Sequence, residues 1–306
     1  MANLIKNTNS SGICVPKVNW HRIKIGLILV SLLLLLISIS SYDSSLDQDN
    51  VQEKIITEIS LEVKHNNPSI QTLRKGFLKE KNRIVLQYLN QYGVGRVDQL
   101  AIQEKKDLHR SISLLFKQKV LGEIDIESHV YQYFTDTMDL NKLETALMEQ
   151  ATYNIPASIK LAQSALETGY GSRIINNNYF GIKDKTGNVE KSTTTEYYTL
   201  KEVKKYSHKI LSKQLIKKNG RSYYKCLVKD SFEKYDSPWF SFRAHSRYLT
   251  SNKRYAPLFV GGKKFDAWAD KIGSEKSGGV GYATSLEYGE LLKAIIQRYN
   301  LDLLDF

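Results

Sequence analysis

The stretch "IPASIKLAQSALETGYGSRIINNNYFGIK", Ile155 to Lys183, decides how this chain is read. Pro156 stands where the first turn of a helix tolerates a missing N–H. Leu161, Ala162, Ala165 and Leu166 then recur at helical spacing and form one apolar stripe. Gly169 and Gly171 can end the helix in left-handed geometry. The predicted helix therefore closes on a carboxylate, Glu167, followed by glycines, aromatics and three consecutive asparagines, Asn176, Asn177 and Asn178.

A helix C-terminus carries partial negative charge, so an ionised carboxylate in its last turn is disfavoured. Burial against aromatic residues acts in the same direction, because desolvation penalises the charged form. Both raise the pKa. A carboxylic acid still protonated near neutral pH is what cleavage of a glycosidic bond requires, since the leaving oxygen must take a proton as the bond breaks. The neighbourhood suits sugars: Tyr170, Tyr179, Phe180, Tyr197, Tyr198, Trp239, Tyr255 and Tyr282 offer flat apolar faces, and the asparagines offer donors and acceptors for hydroxyl and N-acetyl groups.

Downstream, residues 185–234 alternate Thr, Tyr and Val with Lys and turn residues. "KSTTTEYYT" and "RSYYKCLVK" have strand composition and "KKNGRS" reads as a turn, which predicts a small antiparallel hairpin. The basic segment "LKEVKKYSHKILSKQLIKK" between them reads as a solvated face. Helical patterns return in "FRAHSRYLTSNKRY", "FDAWADKIGS" and "TSLEYGELLKAIIQRYNL"; the last opens on Thr284-x-x-Glu287, the spacing of a capping box. Helices around a small hairpin make an α+β unit. It is assigned to residues 128–306.

Upstream, "IGLILVSLLLLLISIS", Ile25 to Ser40, is an apolar run preceded by Lys6, Lys17, Arg22 and Lys24 and followed by Asp43, Asp47 and Asp49. The positive-inside rule makes residues 1–24 a cytoplasmic leader, 25–41 a single transmembrane anchor, and everything beyond it external. A cleaved signal peptide is the alternative, with Ser38-Ile39-Ser40 as its site. Residues 42–127 read as a linker and helical spacer, with Leu73, Phe77, Ile84, Val85 and Leu89 at helical spacing.

The 306 residues carry 44 Lys and Arg against 32 Asp and Glu, a net +12 that calls for an anionic partner: nucleic acid, acidic lipid headgroups or an anionic wall polymer. External placement and the lack of a recognition motif argue against nucleic acid. Two distant cysteines, Cys14 and Cys226, exclude a disulfide framework, and the scattered histidines predict neither metal nor cofactor.

Taken together, "IPASIKLAQSALETGYGSR", "NNNYFGIK", "TTTEYY", "SFEKYDSPWFSFRAHSRYLTSNKRY" and "GYATSLEYGELLKAII" resemble the bacterial peptidoglycan glucosaminidases of glycoside hydrolase family 73, across about Asp139 to Asp305. The resemblance implies a lysozyme-like, mainly helical α+β fold with a β-hairpin lobe, and hydrolysis of the β-1,4 bond after N-acetylglucosamine in peptidoglycan. It makes Glu167, in the motif Gln163 to Gly169, the general acid. It places the second carboxylate at Glu196 and gives Tyr282 a catalytic role. Gln163, Tyr170, Asn178, Phe180, Trp239 and Tyr255 become the candidate substrate-binding residues. The chain departs from the family's Gly-Tyr-Ala-Thr-Asp-Pro in reading "GYATSLEY". Two rival readings are a lytic transglycosylase on the same fold type and an inactive, membrane-anchored wall-binding module.

Overall fold

The structure, a computed structural model, describes residues 68–306 except 190 and 219; the predicted leader, the apolar segment 25–41 and residues 42–67 lie outside the described residues. In chain order the helices are α1 (Pro68–Tyr92), α2 (Ile102–Phe116), α3 (Ser128–Thr135), α4 (Lys142–Tyr153) and α5 (Ala157–Thr168). Then come β1 (Lys191–Tyr198), α6 (Leu200–Lys205), β2 (Ile210–Lys218) and β3 (Arg221–Ser231), followed by α7 (Pro238–Ser251), α8 (Phe265–Ile272) and α9 (Tyr288–Arg298). Among these helices none is long and apolar enough to cross a membrane.

Helix α5 is the axis of the fold. Pro156 occupies its N-cap, where no amide is needed, and Gly169 ends it in the left-handed region at φ 54°. Residues Ala157 to Ala165 are buried on every side rather than along one stripe. The polar residues this carries inward find partners, Gln163 through its Nε2 alone. Ser158 bonds the Asp305 carboxyl through both its amide and its hydroxyl, Lys160 donates to the Phe242 carbonyl at 3.0 Å, and the Tyr133 hydroxyl donates to Ser164 at 2.9 Å. Packing around α5 are α4, α8, α9 and the short 3-10 turn Leu301–Leu304.

The described part of the segment read as a spacer, residues 68–127, is built into the same body. Phe77, Leu108, Ile112, Phe116, Val120 and Leu121 share one hydrophobic cluster with Leu147, Leu161 and Leu292. Arg74 pairs with Asp302, and Lys81 donates to the Leu303 carbonyl at 2.9 Å, so α1 also clasps the C-terminal turn.

Three differences from the sequence reading have clear causes. The β lobe is a three-stranded antiparallel sheet in the order β1-β3-β2, not a hairpin. The unanticipated strand, β2, comes from the basic segment; it is an edge strand whose exposed residues need no apolar alternation. The capping box does not form: α9 starts at Tyr288 with Glu287 as N-cap and no side-chain cap bond. Thr284 is instead drawn to the sheet, accepting from the Tyr197 amide at 3.1 Å and donating to Glu196 Oε2 at 2.5 Å.

Candidate active site

Glu167 lies in the last turn of α5, half-buried, with its carboxyl facing the loop that follows Asn178. Tyr288, the first residue of α9, donates its hydroxyl to Glu167 Oε1 at 2.7 Å, and Gln163 one turn earlier on α5 donates Nε2 to the same hydroxyl at 3.1 Å. Burial pushes the Glu167 carboxyl up to about 7; the Tyr288 bond opposes the rise, the negative charge of Glu196 adds to it, and Lys183 opposes it. The acid is therefore half-protonated near neutrality.

The loop leaves room for this carboxyl by omitting a side chain. Gly181 adopts φ 61°, and a Cβ there would sit 3.1 Å from Glu167 Oε2. Asn178 fixes the loop's shape: its Oδ1 accepts from the Phe180 and Ile182 amides, while its Nδ2 donates to the Ile182 carbonyl at 2.8 Å and the Glu233 carbonyl at 3.1 Å.

Glu196, on β1, has a contrasting setting. Lys183 Nζ donates to its Oε1 and Thr284 Oγ1 to its Oε2. Lys183 also lies 3.1 Å from Asp230 Oδ2, and Lys209 holds the other Asp230 oxygen at 2.9 Å. Burial alone would lower the Lys183 pKa, but Glu196 and Asp230 outweigh it and the net shift is upward. Lys183 thus stays a cation at the shared corner of Glu196 and Asp230.

Tyr282 packs beside Tyr288 with ring centroids 5.9 Å apart, and its hydroxyl donates to the Phe180 carbonyl at 2.7 Å. The Tyr282 hydroxyl proton is thus engaged by the protein, and the tyrosine bonded to Glu167 is Tyr288.

The family described as Glucosaminidase, mannosyl-glycoprotein endo-beta-N-acetylglucosaminidase, matches residues 143–301, just over half of the chain. The chain belongs to that family. It is a glycoside hydrolase, and its described residues form a helical α+β body with a small three-stranded sheet. Among solved structures it is similar to a mutant peptidoglycan hydrolase from Sphingomonas sp. A1 (23% identity, 54% of this chain and 92% of that one, TM-score 0.35). It is also similar to a C-terminally truncated glycoside hydrolase domain of Salmonella typhimurium FlgJ (24%, 51% and 91%, 0.33) and to the catalytic domain of the Listeria monocytogenes autolysin Auto (17%, 67% and 98%, 0.38). No curated protein sequence matches.

Most of the expected sugar-binding residues of this glucosaminidase are used by the protein itself. Phe180 is buried and stacked on His245 at 3.9 Å between ring centroids. Tyr255 is buried with its hydroxyl on Tyr248. Tyr170 packs perpendicular to the rings of His129, Tyr133, Phe134 and Tyr299, so its ring is engaged within the protein. Asn178 builds the loop, and Gln163 orients Tyr288. Trp239 is the exception, nearly half exposed beside Phe240 and Arg243. The sequence reading missed Tyr288, Lys183 and Thr284 as site residues. All three lie inside the quoted motifs, where Thr284 was read as a helix cap and Lys183 and Tyr288 were given no role. Among the described residues no cluster of His, Cys, Asp and Glu could hold a metal ion.

Proposed function

We propose that this glucosaminidase hydrolyses the β-1,4 bond after N-acetylglucosamine in peptidoglycan, with Glu167 as the general acid. The observation that carries this reading is the Glu167 carboxyl, pushed up to about 7 by burial at the closed end of α5 while Tyr288 holds one oxygen in place. That acid can give its proton to the leaving glycosidic oxygen near neutral pH, a contribution typically worth about 100- to 10,000-fold. Family membership and the surplus of positive charge favour an anionic glycan such as peptidoglycan.

Glu196 is the second carboxylate in this scheme, acting on the opposite side of the sugar once substrate draws it from Lys183 and Thr284. Tyr282 buttresses Tyr288 and fixes the Phe180 carbonyl, and Trp239 is the aromatic surface left for a sugar ring. The capture of both Glu196 oxygens supports one competing reading, a lytic transglycosylase that works with Glu167 alone. Mass spectrometry of the products from purified peptidoglycan decides between them. A reducing N-acetylglucosamine end supports the hydrolase, a 1,6-anhydro end supports the transglycosylase, and a reducing N-acetylmuramic acid end refutes the assigned bond.

The charge asymmetry around residues 25–41 supports a single-pass anchor with the catalytic unit outside the cytoplasmic membrane. Protease protection in spheroplasts tests the topology, and N-terminal sequencing of the mature chain tests whether the segment is cleaved instead.

A further inference from the structure

Residues 200–229 hold ten Lys and Arg against one acidic residue, a surplus of nine out of the chain's net +12. The single acid, Glu202, is engaged locally, accepting from the Thr199 amide at 2.7 Å and pairing with Lys276 at 3.2 Å, and Lys209 is paired with Asp230 at 2.9 Å. The remaining cations outnumber the carboxylates near them.

The cations are interleaved with aliphatic side chains on one face. In β2, Lys213, Leu215 and Lys217 alternate with the strand period and Leu211 stands at the bulge just before them; all four are exposed, both leucines by more than half. Lys213 pairs with Cys226 and Leu215 with Tyr224, so this row shares the face of the sheet that carries Cys226 and Tyr224. Helix α6 covers that same face, with Val203 packed inward against Tyr198, Cys226 and Val228. Its Leu200, Lys201, Lys204 and Lys205 are exposed, with Lys201 and Lys205 on the arc of the helix away from Val203. The strand is also the edge of the sheet.

We propose that α6 and β2 form a docking surface for an anionic lipid bilayer, with the lysines meeting headgroup phosphates and Leu200, Leu211 and Leu215 entering the boundary with the acyl chains. A polyanion would be served by the lysines alone. The three protruding leucines have no use against a soluble phosphate polymer, whereas cations around apolar side chains are the composition that lies in a membrane interface. Lys213 stands in one row with Cys226 and Glu196, two strands from the second carboxylate, roughly 10 Å at ordinary strand spacing. A bilayer against this face keeps the cleft within the glycan layer nearest the membrane. The surface is independent of which glycosidic bond is cut.

The test is hydrogen–deuterium exchange of the full chain with vesicles of phosphatidylcholine alone or of phosphatidylcholine mixed with phosphatidylglycerol. The expected result is slower exchange across residues 200–218 with the anionic vesicles only, reduced by high salt and lost in Lys204→Gln/Lys205→Gln/Lys213→Gln/Lys217→Gln. Leu211→Ser/Leu215→Ser weakens the protection as well. Equal exchange with the two vesicle types overturns the proposal. So does equal protection by inorganic polyphosphate without lipid, which makes this a polyanion surface. Lipid-free protection that grows with protein concentration overturns it too, assigning the β2 edge to a second copy of the chain.

Discussion

Gly181→Ala is expected to damage catalysis through a contact that a matched substitution lacks. An alanine held at φ 61° costs about 1–2 kcal/mol in left-handed strain. For a unit of this size that lowers Tm by roughly 2–8 °C. The new methyl meets Glu167 Oε2 at 3.1 Å and the carboxyl carbon at 3.7 Å, so one side must give by a few tenths of an ångström. The loop resists, because Asn178 bonds both the amide and the carbonyl of Ile182. The carboxyl moves instead, away from the position set by Tyr288.

A misplacement of about 1 Å costs on the order of 100-fold in rate, so a shift of tenths of an ångström should cost roughly 3- to 30-fold in kcat. Gly187→Ala is the control: φ is 75°, so the backbone strain is alike, but no atom lies within 4 Å of the added methyl. Release of soluble glycan from purified peptidoglycan, read beside thermal melts of both variants, should show similar losses of Tm and a loss of turnover in Gly181→Ala alone. Full turnover by folded Gly181→Ala, or an equal loss in both, refutes the claim that Gly181 is bare for the sake of the Glu167 carboxyl.

Glu167→Gln keeps the Tyr288 bond but has no proton to give, so turnover should fall about 100- to 10,000-fold in a folded protein. Its stability should depend on pH in a defined sense. The folded pKa of Glu167, about 7, lies above the ordinary 4.5, so ionisation costs the native state stability that is intact below pH 4.5 and progressively lost up to pH 7, roughly 3 kcal/mol in all. The Gln variant should therefore gain Tm over wild type as pH rises from 4.5 to 8, and a gap that does not change with pH would contradict the shift. In Tyr288→Phe the donor that favours ionised Glu167 is gone, so the alkaline limb of kcat should move to higher pH, with a static limb as the refuting outcome. Thr284→Val should lower activity through Glu196 while Thr284→Ser preserves it. If Val instead costs only stability, Thr284 serves the sheet and not the carboxylate.

The core helix, its left-handed end at Gly169 and strands β1 and β3 were legible because each rests on local chemistry: a proline without an amide, a glycine free of Cβ strain, and β-branched and aromatic runs. The raised Glu167 pKa was legible in direction, although burial leads it and the helix terminus is at most an addition. The substrate-facing aromatics were not legible. Composition reveals that a ring is present but not which way it faces: Phe180 and Tyr170 were claimed by partners far off in sequence, His245 and Tyr299, and Tyr255 by Tyr248 on the preceding helix. Thr284 failed as a cap for a related reason: a charged acceptor supplied by another element, Glu196, competes with the local amide that the capping rule offers.

The run "NNNYFGIK" shows how one short segment can serve both carboxylates without contributing either. Asn178 spends its amide on backbone, which locks the turn. The Phe180 carbonyl receives the Tyr282 hydroxyl, which sets the ring beside Tyr288 and hence beside the donor to Glu167. Gly181 clears the space that the Glu167 carboxyl occupies, and two residues on, Lys183 supplies the cation that Glu196 and Asp230 share. The two acids need opposite surroundings, one apolar enough to keep its proton and one paired with a cation. A loop whose successive residues present a bare Cα and then an ammonium provides both within three positions, and a loop held this firmly keeps the two environments in a fixed relation.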